Sequence, residues 1–134
     1  MALTWCFADE RTPATAALLD RCANFGAAAP SLWPLEALNA LLMAEKRKRL
    51  DSARRHELIE ALRALPIAID TETAVQAWAV SNRLAERYGL TVYDAAYLEL
   101  AQRLGLPLAT LDAELRKAAA VLGVPVLGAP GDAP

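Results

Sequence analysis

Four short apolar stretches recur along the chain: Ala27 to Ala29, Ile67 to Asp70, Leu106 to Thr110 and Val124 to Leu127. Each is separated from the next by a segment with helical periodicity. Parallel neighbouring strands need long crossovers, usually helices, so this alternation predicts an α/β domain with a mostly parallel central sheet flanked by helices. In such sheets ligands lie beyond the carboxyl ends of the strands. The residues just after each apolar stretch are therefore the first place to look for chemistry.

The helical segments carry their own punctuation. Thr12-Pro13 places a hydroxyl at N-cap and proline at N1 of a helix running to about Asn24. Ser31 opens a second, with Leu35, Leu38, Leu41 and Leu42 at helical spacing, which closes in Lys46-Arg47-Lys48-Arg49 against the negative end of the helix dipole. Ser52 is expected to cap a third helix to about Leu65, Thr71 a fourth ended by Gly89, and Thr91 a fifth ended by Gly105. Asp112 begins a sixth, stopped at Gly123. Residues 2–8, ALTWCFA, are too short for periodicity to choose between strand and helix. GAPGDAP, residues 128–134, reads as a flexible tail.

Bulk properties narrow the function classes. The 134 residues fit one domain, and 55% hydrophobic content argues against disorder. A formal net charge of -2 gives no global attraction to nucleic acid or an anionic membrane, so any such affinity needs a local patch. No apolar run approaches the roughly 18 residues of a membrane span. The two cysteines, Cys6 and Cys22, lack the spacing of a zinc site or a disulfide framework, which points to a reduced, cytoplasmic setting.

Acidic residues follow the predicted strands. Glu36 lies in the first turns after the first, Asp70 ends the second, and Asp112 follows the third. Asp94 sits in the apolar opening of the fifth helix, TVYDAAYLEL. Carboxylates from separate strand ends can converge on a hard divalent cation. Each is also explicable by the preference of helix N-termini for negative charge, and Asp112 in particular as an N-cap.

The segments WPLEALNAL, TVYDAAYLELA and PLATLD, in this order and spacing, resemble the PIN-domain nucleases, specifically the VapC toxins of type II toxin–antitoxin pairs. The resemblance spans about residues 2–127 as a single domain. It implies a Mg²⁺- or Mn²⁺-dependent endoribonuclease that is homodimeric and inhibited by a cognate antitoxin. On that pattern the metal and catalytic acids fall on Glu36, Asp94 and Asp112, with Thr110 as a hydroxyl beside the last. The sequence departs from the pattern at its start. The family opens with a central strand ending in aspartate, as in "VLDASVALAW", and Met1 to Trp5 match only the VALAW part. The strand and its aspartate are therefore expected ahead of Met1, with the coding start upstream, and residues 2–8 are then the first helix. An impaired module that binds antitoxin or RNA without cutting is the alternative.

Lys46, Arg47, Lys48, Arg49, Arg54 and Arg55 form a basic stretch suited to phosphate contact, or simply a solvated helix corner. Tyr93 and Tyr97 are expected in core packing, with base stacking as the other use. Trp33 and Trp78 are expected in the core or at a dimer surface. His56, the single histidine, reads as a surface residue.

Overall fold

The computed structural model describes residues 1–132. Helix α1 (Ala2–Cys6) and a 3₁₀ turn (Ala8–Glu10) precede α2 (Pro13–Phe25), β1 (Ala27–Ala29), α3 (Trp33–Lys46), α4 (Ser52–Arg63) and β2 (Ile67–Ile69). Helix α5 (Thr73–Gln76) runs through a π-helical segment (Ala77–Ser81) into α6 (Asn82–Tyr88). Then come α7 (Val92–Leu104), β3 (Leu108–Ala109), α8 (Ala113–Val121) and β4 (Val126–Leu127). The α/β alternation is as expected, and residues 2–6 are helical rather than extended.

All strand pairing is parallel, but it does not form one sheet. β1 pairs with β2, Ala28 opposite Ala68, and β3 pairs with β4, Leu108 opposite Val126. These are two separate two-stranded sheets. The expected single central sheet is thus divided between its second and third strands.

Several helix starts follow the sequence signals. Thr12 and Thr15 form a reciprocal capping box, and Thr91 accepts from the Asp94 amide at 3.0 Å. Others moved. Asp51, not Ser52, caps α4, because its carboxylate accepts the Arg54 amide at 2.8 Å. Neither Ser31 nor Thr71 caps its helix: the N-cap positions of α3 and α5 are Leu32 and Glu72, without a side-chain cap bond. The Thr73 hydroxyl instead accepts from the Ser31 amide at 3.0 Å, tying the loop after β1 to the start of α5.

Two apolar clusters hold the helices. One surrounds α7, where Ala95, Leu98 and Ala101 pack against Leu84, Leu108, Leu115 and Ala119. The other joins Leu41 of α3 to Leu58 and Leu62 of α4, with Trp5 and Trp33 against it. Trp78 lies in neither, being 90% exposed on the π-helical segment, and Tyr93, expected inside, is 66% exposed. His56 is exposed and Cys22 is a buried free thiol.

Two polar links cross from α7 to the β1–β2 half. Arg103 donates to Glu99 on its own helix at 2.8 Å and to Asp70, at the end of β2, at 2.6 Å. Tyr97 donates to Glu36 of α3. The residues read as a tail are anchored as far as Asp132. Its carboxylate pairs with Arg116 at 2.6 Å and accepts the Ala129 amide at 2.7 Å. Ala133 and Pro134 lie outside the described residues. Among the described residues, no helix is long and apolar enough to cross a membrane.

Candidate active site

The carboxyl ends of β1 and β3 open onto one cavity of about 550 Å³ between the two sheets. Glu36, Asp94, Thr110 and Asp112 all line it. The expected site residues thus come to one place from three different elements.

Each acid is set by local backbone chemistry. Glu36 lies in the first turn of α3, where the dipole favours its charge. Asp94 occupies the third position of α7, behind its Thr91 cap. Asp112 is the N-cap of α8, its Oδ1 accepting the Leu115 amide at 2.8 Å. Its own amide donates to the Thr110 hydroxyl at 3.1 Å, which fixes the turn from β3 into α8. The capping explanation of Asp112 is therefore correct for one of its oxygens, and leaves Oδ2 without a hydrogen bond in the described residues.

The electrostatics separate Asp94 from an ordinary helix-terminal acid. Burial raises the Asp94 carboxyl above the usual carboxylate range, and the charge of Asp112 raises it further. A partly buried carboxylate whose ionisation a neighbouring acid disfavours marks a site that gains from a cation. Glu36 differs, because it is exposed and holds the Tyr97 hydroxyl. Burial and the Glu36 charge both push the Tyr97 phenol upward, so it stays protonated and remains a donor. From sequence Tyr97 was legible as a core residue of α7, or as a base-stacking one. Its partner is 61 positions away in sequence, so no local signal reveals the bond.

No three Asp, Glu, His or Cys side chains among the described residues gather closely enough to cage a metal ion. The donor set suits a different binding mode. Mg²⁺ commonly keeps several waters and takes one or two carboxylates, and Asp94 with the open oxygen of Asp112 supplies that number. Asp70 is not part of the set. It points to Arg103, which holds its carboxyl below the usual range.

The basic stretch is partly neutralised. Arg49 pairs with Asp9 at 3.4 Å and lies 4.0 Å over the Phe7 ring, Arg54 pairs with Glu57 at 3.0 Å, and Arg55 with Glu45 at 3.3 Å. Lys46, Arg47 and Lys48 make no such pair among the described residues. Arg21 of α2, not singled out by sequence, lines the acidic cavity and is its nearby cation.

Tyr97→Phe tests whether the phenol positions Glu36. Loss of a partner that orients a ligand typically lowers metal affinity or activity roughly tenfold to a hundredfold. We expect about a tenfold weaker response to Mn²⁺ with the circular dichroism spectrum retained. An unchanged Mn²⁺ dependence would make the bond purely structural.

The PIN domain family model matches residues 2–121. Ribonuclease VapC3 of Pyrobaculum aerophilum is 44% identical over 59 residues, a match covering 44% of this chain and 42% of that protein. This chain therefore spans less than half the length of that curated relative. The crystal structure of PAE2754 from Pyrobaculum aerophilum superposes with a TM-score of 0.59 at 32% identity, covering 78% of this chain and 76% of that one. The acids gathered at the carboxyl ends of parallel strands, the fold around them and the match over residues 2–121 lead to one conclusion: the chain belongs to the PIN-domain family.

Proposed function

We propose that this protein is a VapC-like, metal-dependent endoribonuclease that hydrolyses RNA phosphodiester bonds. The observation that carries the reading is the placement of Glu36, Asp94 and Asp112 on one cavity at the strand ends, with Asp112 close enough to raise the Asp94 carboxyl. The similarity to a protein named as a ribonuclease supports it.

Asp94 and the free oxygen of Asp112 are the residues that would hold Mg²⁺ or Mn²⁺. The ion, when bound, lowers the pKa of water and neutralises charge on the phosphate. Glu36, exposed and held by the Tyr97 hydroxyl, would complete the acidic set around the ion and accept a proton from the attacking water. Thr110 keeps the Asp112 backbone in its turn and so orients that carboxylate. Arg21 on the cavity wall, together with Lys46, Arg47 and Lys48 at the end of α3, would supply phosphate contacts that the net charge of -2 does not. Arg49, Arg54 and Arg55 contribute less, because their charges are already paired. The same reading includes a cognate antitoxin that covers the acidic mouth, a homodimer, and a cytoplasmic setting.

Incubation with end-labelled RNA tests this. Cleavage in Mg²⁺ or Mn²⁺ that stops on adding EDTA is expected, and cleavage that persists in EDTA would reject the mechanism. The absence of a three-acid cluster among the described residues favours one alternative, a PIN module that binds antitoxin or RNA without cutting. Antitoxin binding with no divalent-ion uptake would select it.

A further inference from the structure

We infer that Asp132 is a positioning residue for the acidic site: it holds the Arg116 guanidinium on the C-terminal segment and so keeps that cation off the Asp112 carboxylate. The inference rests on the reading of Asp112 as an ion ligand, and it gives a role to an ion pair that the proposed reaction leaves unused.

Arg116 is the cation that Asp112 should meet first. It stands four residues later at the start of α8, and its amide donates to the Asp112 carbonyl at 3.0 Å. Asp and Arg at that spacing on a helix ordinarily attract each other. The guanidinium also has the reach, because Nη1 donates at 2.9 Å to the carbonyl of Thr110, which precedes Asp112 in the same turn. Yet among the described residues Arg116 forms its ion pair with Asp132 and not with Asp112. Asp112 Oδ1 is held by the Leu115 amide, and Oδ2 stays open on a residue that lines the acidic cavity.

Asp132 is shaped to hold the cation. Its Oδ1 accepts from Arg116 Nη2 at 2.6 Å and its Oδ2 accepts from the Ala129 amide at 2.7 Å. The Asp132 amide donates to the Ala129 carbonyl at 3.1 Å, which closes the turn and fixes the carboxylate. The Arg116 and Asp132 side chains are 23% and 15% exposed, so solvent and salt screen the pair less than an ordinary surface pair. The hydrogen bond from Arg116 also holds the Asp132 carboxyl below the usual carboxylate range. Both ends of the guanidinium fork are thus committed, one to Asp132 and one to the Thr110 carbonyl.

The consequence for the site is electrostatic. An arginine resting on Asp112 would occupy the oxygen that a divalent cation needs and cancel the charge that attracts it. The chain keeps Arg116 for its bond to the turn between β3 and α8, and Asp132 removes the charge of that arginine from the site.

The test compares the parent chain with Asp132→Asn, Arg116→Gln and the double variant. Asp132 belongs to neither apolar cluster, and asparagine keeps an acceptor for the Ala129 amide, so the fold should be retained. In EDTA, the Arg116 Nε–Hε resonance is followed by NMR. Asp112→Asn should move it much further in the Asp132→Asn background than in the parent, and equal movement in both would overturn the proposal. In Mn²⁺ titrations read by electron paramagnetic resonance, Asp132→Asn should weaken binding by about tenfold. The double variant should return to within about threefold of the parent, because the competing cation is gone. A purely structural pair predicts the opposite, a double variant at least as weak as Asp132→Asn, and that result would overturn the proposal. So would a loss in Arg116→Gln alone as large as the tenfold expected of Asp132→Asn, a comparison with the parent that stands even if Asp132→Asn does not fold. A parent chain that takes up no Mn²⁺ would reject Asp112 as an ion ligand, whereas the resonance in EDTA still decides whether Asp132 keeps Arg116 from it.

Discussion

Asp94→Asn is expected to reduce RNA cleavage by roughly a hundredfold or more while leaving the chain at least as stable. The substitution keeps shape and removes the charge that burial and Asp112 disfavour. Asp94 has a carboxyl raised by burial and by Asp112, so its folded-state pKa lies above its unfolded value. Such a group favours the folded state at low pH, and the benefit fades as pH rises through the interval from the ordinary carboxylate value to the raised one. At neutral pH the charged Asp94 is therefore a burden on the metal-free protein, and asparagine relieves it. Single-turnover cleavage assays and thermal melts in EDTA, run on both proteins, separate the two effects. Lost activity together with a large fall in Tm would indicate an Asp94 that supports the fold instead of an ion.

Arg103→Ala should have the largest effect on stability among the polar residues. It removes the partner of Glu99, which is 4% exposed, and of Asp70 across the interface between α7 and β2. Breaking a fully buried pair costs roughly 3–5 kcal/mol through the stranded charge, and the guanidinium here keeps a solvent-facing edge, so about 2 kcal/mol is expected. The pH dependence follows from Asp70, whose carboxyl Arg103 holds below its ordinary value. That contribution is present above the unfolded carboxylate pKa and is lost as pH falls through the depressed one. Urea melts between pH 3 and pH 7, taken as roughly the range of acid titration, should show this acid limb in the parent chain and a flatter one in Arg103→Ala. A variant as stable as the parent at neutral pH would mean that water satisfies Glu99 as well as Arg103 does.

What could be read from sequence depended on whether the signal was local. Thr12, Thr91 and Asp112 announced their helices because a capping oxygen acts within three residues. Ser52 was misleading because Asp51 beside it is an equally good cap, and only the backbone path chose between them. Asp70 looked like a strand-end acid of the same kind as Asp112. Its real partner, Arg103, is 33 positions away and turns it from the cavity. Tyr93 and Tyr97 share a helix and residue type, yet one faces solvent and the other reaches Glu36, a difference set by what packs beside α7. The division of the sheet had no periodic signature at all. The four apolar stretches predict one central sheet, and the structure pairs them as two.

The central claim is that Glu36, Asp94 and Asp112 are gathered for an ion and not merely for helix termini. Mn²⁺ titration of the purified chain, followed by electron paramagnetic resonance, addresses it without requiring an RNA substrate. One bound Mn²⁺ per chain, lost in Asp94→Asn and in Asp112→Asn but retained in Asp70→Asn, is the result predicted. No uptake at millimolar Mn²⁺, or uptake indifferent to Asp94 and Asp112, would contradict it.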